Sequence, residues 1–237
     1  MSACHPALHR HVTPSRISSH TVDDAYRRSH ELLPAVSPNL PPGCWEARSA
    51  TSVGCVMDRG PTRSGDIEGV RLSPIDVHTD RRGSFAEFFA AHRDPGLEPV
   101  QWSVVISGKG VLRGMHYHAR HDEFFSVVSG RATVALHDLR PNSPTSGLSA
   151  TYELCGDAPA SLVFPRGLVH GWLFHTPTVH LQAVSEAHDH YGDDDNGGCH
   201  WSDAELGIPW PFEPTILSER AGSFGSLAEL RSTLGFS

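Results

Sequence analysis

The stretch from Gly110 to Gly130 constrains this chain more than any other part, because it sets His116, His118 and Glu123 between flanking glycines in a segment rich in β-forming residues. His116 and His118 are two apart, so on a strand they leave the same face, and Glu123 returns on the next strand after a short turn. A second segment, Pro165-Arg-Gly167-Leu-Val-His170, supplies turn residues and then a further histidine that the hairpin brings back against the first pair. Three imidazoles and one carboxylate thereby meet. This donor set suits a divalent first-row cation, Fe, Mn, Ni, Co or Zn, with room left for water or substrate, and residue types do not choose among them. The chain has 17 histidines, so a lone His-x-His would carry little weight. Four ligand types in register carry more.

This spacing resembles the metal site of cupins, which implies an all-β fold: a double-stranded β-helix, or jelly roll. The rest of the pattern agrees. From Val70 onward short apolar runs alternate with turn residues: Val100 to Ser107, Val111 to His118, Glu123 to Val128 and Arg131 to Leu139, the last two joined at Ser129-Gly130. Leu148 to Leu154, Ser161 to Phe164, His170 to His175 and Val179 to Ser185 continue at the spacing of a barrel or sandwich. A short C-terminal helix is expected to pack on the barrel. Ser226-Leu-Ala-Glu229 has the form of a capping box, Leu227, Leu230 and Leu234 share a helical face, and Gly235 supplies the stop.

Residues 1–65 read differently, with many prolines, serines and arginines and little periodicity, and we expect a disordered or loosely packed extension before a domain spanning 66–237. A short helix from Asp23 to Leu33 and a natural start at Met57 are further expectations. With 237 residues, 38% hydrophobic, and a formal charge of −8, the composition is that of a globular domain that does not bind nucleic acid. No apolar run is long enough for a membrane helix, and no signal pattern opens the chain, which points to a cytoplasmic protein. Cys4, Cys44, Cys55, Cys155 and Cys199 are scattered and read as reduced thiols.

A second resemblance covers residues 67 to 224. Asp80-Arg-Arg-Gly-Ser-Phe-Ala-Glu87, Val111-Leu-Arg-Gly-Met-His-Tyr117, Phe164-Pro-Arg-Gly-Leu-Val-His-Gly171, Trp201-Ser-Asp-Ala-Glu-Leu-Gly-Ile-Pro-Trp-Pro211 and Leu217-Ser-Glu219 follow in order the motifs of dTDP-4-dehydrorhamnose 3,5-epimerases. The resemblance implies a homodimeric enzyme acting on a nucleotide-linked 4-keto-6-deoxy sugar. It implies that Arg82 and Arg113 hold the diphosphate, a role suited to the planar, always-charged guanidinium. Gln101 matches a residue near the nucleotide base, while Ser103 stands where an Asn is usual.

The resemblance also makes His116 the general base, but three of its partners are missing. The positions of an orienting Asp, a Lys and a Tyr fall at Ala221, Glu123 and about Gln182, and Lys109 is the only lysine in the chain. The exchanges of Lys for Glu123 and of the usual Gln for His118 complete a metal site. As a ligand His116 could not also be the base, which leaves His121, Asp122 or metal-bound hydroxide, although His121 reads first as a solvated turn residue. Gln182 is kept as a substrate-binding candidate. Two enzyme classes follow: a metal-assisted epimerase or isomerase of a nucleotide sugar, and an iron-dependent oxygenase or lyase that keeps only the fold. A binding protein without catalysis is a third. The acidic stretch Asp193-Asp-Asp-Asn-Gly-Gly198 reads as a solvated loop.

Overall fold

A computed structural model describes residues 67–93, 96–191 and 195–236. The expected N-terminal extension, its helix and the Met57 start lie outside these residues.

Eleven strands build the domain, and a two-residue segment adds a twelfth. One five-stranded sheet has the order β1 (Arg71–Pro74), β9 (Ala160–Phe164), β6 (Glu123–Ser129), β11 (Thr178–Val184) and β4 (Gln101–Ser107). The other has the order β12 (Gly197–Gly198), β5 (Leu112–Tyr117), β10 (Leu168–Phe174), β7 (Arg131–Asp138) and β8 (Ser149–Cys155). All pairings are antiparallel, and consecutive strands repeatedly change sheet, which is the jelly-roll arrangement expected. A separate exposed hairpin is made by β2 (Val77–Asp80) and β3 (Gly83–Ala86).

The strands fold where the sequence alternates or runs apolar. Phe125, Val127, Val134, Leu136, Leu162, Phe164, Trp172 and Phe174 fill the space between the sheets and are almost wholly buried. Burying each such side chain contributes on the order of 1.5–3 kcal/mol. The β6–β7 turn needs glycine: Gly130 has φ +91°, and a Cβ there would lie 2.5 Å from the Pro177 carbonyl oxygen.

Two short helices, α1 (His188–Tyr191) and α2 (Glu219–Gly222), precede α3 (Leu227–Thr233). The capping box of α3 is present in both directions between Ser226 and Glu229. Leu227 and Leu230 pack with Met115, Tyr117, Val169 and Cys199 on the outer side of the second sheet, so the helix covers the barrel as expected. Cys199 is a buried free thiol, whereas Cys155 is disulfide-bonded, against the expectation of reduced thiols throughout. Among the described residues no helix is long and apolar enough to cross a membrane.

Candidate metal centre and active site

Glu123 opens β6 and is 1% exposed. Its Oε1 is where the histidines meet: His170 Nε2 lies 3.0 Å away, His118 Nε2 3.6 Å and His121 Nε2 3.8 Å. The other carboxylate oxygen, Oε2, accepts a hydrogen bond from Gln182 Nε2 at 2.7 Å. His118, His121 and Glu123 each offer a donor atom within 4.8 Å of the others.

The far sides of these rings are tied down. His118 Nδ1 donates to the main-chain carbonyl of Asp195, and His170 Nδ1 to that of Leu168 at 3.1 Å. A carbonyl only accepts, so the ring proton is on Nδ1 and the lone pair is on Nε2. His121 Nδ1 faces Asp195 Oδ2 at 3.2 Å, an ion-pair distance without hydrogen-bond alignment. Within the cluster, Glu123 Oε1, His170 Nε2 and both nitrogens of His121 are buried without a hydrogen-bond partner, as are His137 Nε2, Trp172 Nε1 and both nitrogens of His180 elsewhere among the described residues. Orphaned buried polar atoms are costly, and three of those in the cluster, Glu123 Oε1, His170 Nε2 and His121 Nε2, converge on one point. The donor set fits a divalent cation.

Protonation states agree with that fit. Burial pushes the His118 imidazole down to about 4, against the pull of Glu123, and lowers His121 for the same reason. Although burial opposes it, His170, His118 and His121 hold the Glu123 carboxyl well below the usual carboxylate range. Neutral imidazoles and an ionised carboxylate are the ligand forms.

His116 stands apart. On β5 it is paired in register with His170, but its ring centroid is 6.0 Å from that of His170 and 6.3 Å from that of His118. It meets the Phe224 ring edge-on and, among the described residues, has no carboxylate at ion-pair distance. Burial, with neighbouring His170, His118 and Arg220, pushes it down to about 3. His121 is the reverse case. Expected in a solvated turn, it is 1% exposed and packs between His118 and Tyr191, with centroids at 4.1 and 4.4 Å. The turn is folded inward by Asp195, whose carboxylate accepts the N–H groups of Ala119 and Arg120 at 2.6 and 3.0 Å.

Arg113 reaches the same side of the barrel through an irregularity. On β10, His170 and Trp172 are two apart and share a face; their partners on β5 are His116 and Arg113, three apart. The extra residue is a bulge that turns Arg113 to the face it would otherwise avoid. Gly114 sits there with φ +130°, and a Cβ would lie 2.5 Å from the Gly171 Cα. Arg113 Nε donates to Ser107 Oγ at 2.9 Å.

The remaining candidates divide. Gln101, Ser103 and Gln182 line one cavity of about 150 Å³ with His188 and Tyr191, and Gln101 Oε1 accepts the His188 N–H at 2.9 Å. Arg82 is not brought to the cluster: it lies at the tip of the exposed β2–β3 hairpin, paired with Asp80 at 2.6 Å. Asp122 pairs with Arg166 at 2.9 Å and is taken up by that contact. A groove of about 1190 Å³ runs past Phe89, Trp102, Arg120 and Arg166 and holds none of the converging ligands. Sequence reasoning missed Tyr191 and Asp195. The only signal was that the acidic stretch follows a run of histidines, and Asp195 is 4% exposed rather than solvated.

Fold and site together define a jelly-roll cupin with a histidine–carboxylate cluster between its sheets. Residues 64–229 match the family described as dTDP-4-dehydrorhamnose 3,5-epimerase. A protein of that name from Methanothermobacter thermautotrophicus is 30% identical over 174 residues, 69% of this chain and 92% of the relative. Among solved structures, the dTDP-4-dehydrorhamnose 3,5-epimerase of Bacillus anthracis, with TDP and PPi bound, superposes with a TM-score of 0.63 at 28% identity, covering 72% of this chain and 100% of that one. NovW, a 4-keto-6-deoxy sugar epimerase of Streptomyces spheroides, gives 0.64 at 27% identity, covering 73% and 90%. The chain belongs to the dTDP-4-dehydrorhamnose 3,5-epimerase family, and it is an enzyme of the carbohydrate epimerase type.

Proposed function

We propose that this enzyme is an epimerase or isomerase of a nucleotide-linked 4-keto-6-deoxy sugar of the dTDP type, in which His118, His121, Glu123 and His170 hold a divalent cation and His116 is the base. The observation that carries the reading is the convergence of unpartnered, buried donor atoms on Glu123 Oε1. In this reading His121 takes the ligand place expected of His116, because His121 reaches Glu123 and His116 does not.

A cation held there supplies Lewis-acid polarisation of a carbonyl. The chain's own residues do the rest. His116, neutral at physiological pH and the one of these four histidines that is only partly buried, offers a lone pair to a proton on the carbon next to the keto group. With Ala221 where an orienting Asp is expected, no carboxylate among the described residues stands at ion-pair distance from the resulting imidazolium, so His116 is a weaker base than one backed by a carboxylate. Arg113, turned to this face, is the group for the diphosphate, and Gln182 fixes Glu123 through Oε2 so that Oε1 points at the histidines.

We also propose a homodimer. The outward side of the edge strand β4 is apolar, with Trp102, Val104 and Ile106 exposed by 41%, 67% and 74%. An uncovered edge with an apolar face invites pairing. In a dimer the exposed hairpin could carry Arg82 to a partner's site, which one protomer leaves without it.

The test is solvent-deuterium incorporation into a dTDP-4-keto-6-deoxy sugar by untagged, metal-loaded enzyme. Exchange at a ring carbon beside the keto group supports the proposal. Absence of exchange together with oxygen-dependent turnover would place the enzyme in the oxygenase class.

A further inference from the structure

Asp195 reaches the cluster from some seventy-five residues beyond the turn between β5 and β6. Its carboxylate binds two successive N–H groups of the turn between β5 and β6 and faces His121 Nδ1; its main-chain carbonyl takes the His118 Nδ1 proton. The segment after it is pinned independently. Gly197 and Gly198 pair with Tyr117 and His116, Cys199 N donates to the Met115 carbonyl at 3.1 Å, and Arg220 holds the Asn196 carbonyl at 2.9 Å. A residue fixed this way can set the orientation of two rings at once.

We propose that Asp195 is the positioning residue of the histidine cluster: its carboxylate, 3.2 Å from His121 Nδ1, draws that ring's proton to Nδ1 by charge rather than through an aligned hydrogen bond, and its carbonyl takes that of His118, so that both Nε2 lone pairs face Glu123. This rests on the cation reading above. Outer-shell groups of this kind orient ligating histidines and set their tautomer, and their loss weakens metal binding about 10–100-fold. Asp195→Asn should be as harmful at His121 as full removal. The asparagine amide presents N–H to Nδ1 and favours the tautomer that carries its proton on Nε2, where no ligand lone pair remains.

The test is titration calorimetry of the untagged full chain with Zn²⁺ and Co²⁺ alone, for the native protein, Asp195→Asn, His121→Ala and the double variant. The native chain should bind one equivalent, Asp195→Asn about 10–100-fold more weakly, and His121→Ala, which removes a ligand outright, at least as weakly as that. The double variant should bind no more weakly than His121→Ala, because Asp195 acts through that ring. Asp195→Asn within twofold of native, or penalties that multiply in the double variant, overturn the proposal. So does unchanged binding by His121→Ala; where Asp195→Asn lacks a cooperative melt, the ¹⁵N imidazole shifts of the metal-free native chain decide the matter, a proton on Nδ1 of His118 and His121 being expected and a proton on Nε2 of His121 overturning the proposal. No uptake by the native chain overturns the cation reading itself.

Discussion

Glu123 and Gln182, which stand where the family resemblance expects a lysine and a tyrosine, are hydrogen-bonded to each other: Gln182 Nε2 donates to Glu123 Oε2 at 2.7 Å. The two departures are therefore one change. A buried carboxylate in place of an ammonium needs a donor, and the amide on β11 provides it. Gln182→Leu should leave Oε2 unpaired, lowering stability by about 1–3 kcal/mol and weakening Zn²⁺ binding. Thermal denaturation and a metal titration check both effects, and a variant equal to native in each would show the bond to be incidental.

Glu123→Lys should give a protein that still melts cooperatively and contains no metal. The carboxylate is the meeting point of three imidazoles, so exchanging its sign removes the site's only anionic ligand. Metal analysis of the purified variant decides it; stoichiometric metal would remove Glu123 from the ligand set.

His116→Asn separates base from ligand. It should retain the native metal stoichiometry while deuterium exchange into substrate falls by about 10²–10⁴-fold, the usual contribution of a positioned base. Loss of the metal instead would return His116 to the ligand place that its spacing from His118 first suggested.

The fold's acid stability should depend on Asp138. This carboxylate is fully buried, and although burial opposes it, hydrogen bonds from Arg140, Ser143 and Thr145 hold it down to about 2. Its folded value lies below the unfolded one of about 3.9. Its contribution, about 2 kcal/mol, is thus complete above pH 4 and disappears as the pH falls through 2. Asp138→Asn should be less stable at pH 7, with the gap closing over that window. A pH-independent gap in denaturant midpoints would mean the loss is one of packing.

The strands were legible because Gly, Pro and Ser-Gly punctuate them, and α3 was legible because a capping box is local: Ser226 and Glu229 carry the whole signal. The site was legible only where it too is local. His118 and Glu123 follow from strand period and turn length, whereas the same period makes His116 a ligand beside them and the structure holds its ring apart. His121 does not, because its burial is imposed by Asp195, and no local pattern records a carboxylate arriving from so far along the chain. Arg113 was placed by resemblance alone, since strand alternation puts residues 113 and 116 on opposite faces. Arg82 was assigned by its motif, yet the hairpin holds it away from the cluster of its own protomer.

That broken alternation between β5 and β10 divides the site into two parts that can change separately. The histidine end and the arginine end of β5 keep separate registers against β10, joined through one glycine that accepts no side chain. Length changes on the arginine side can therefore alter what the barrel grips without disturbing the donor atoms beyond Gly114.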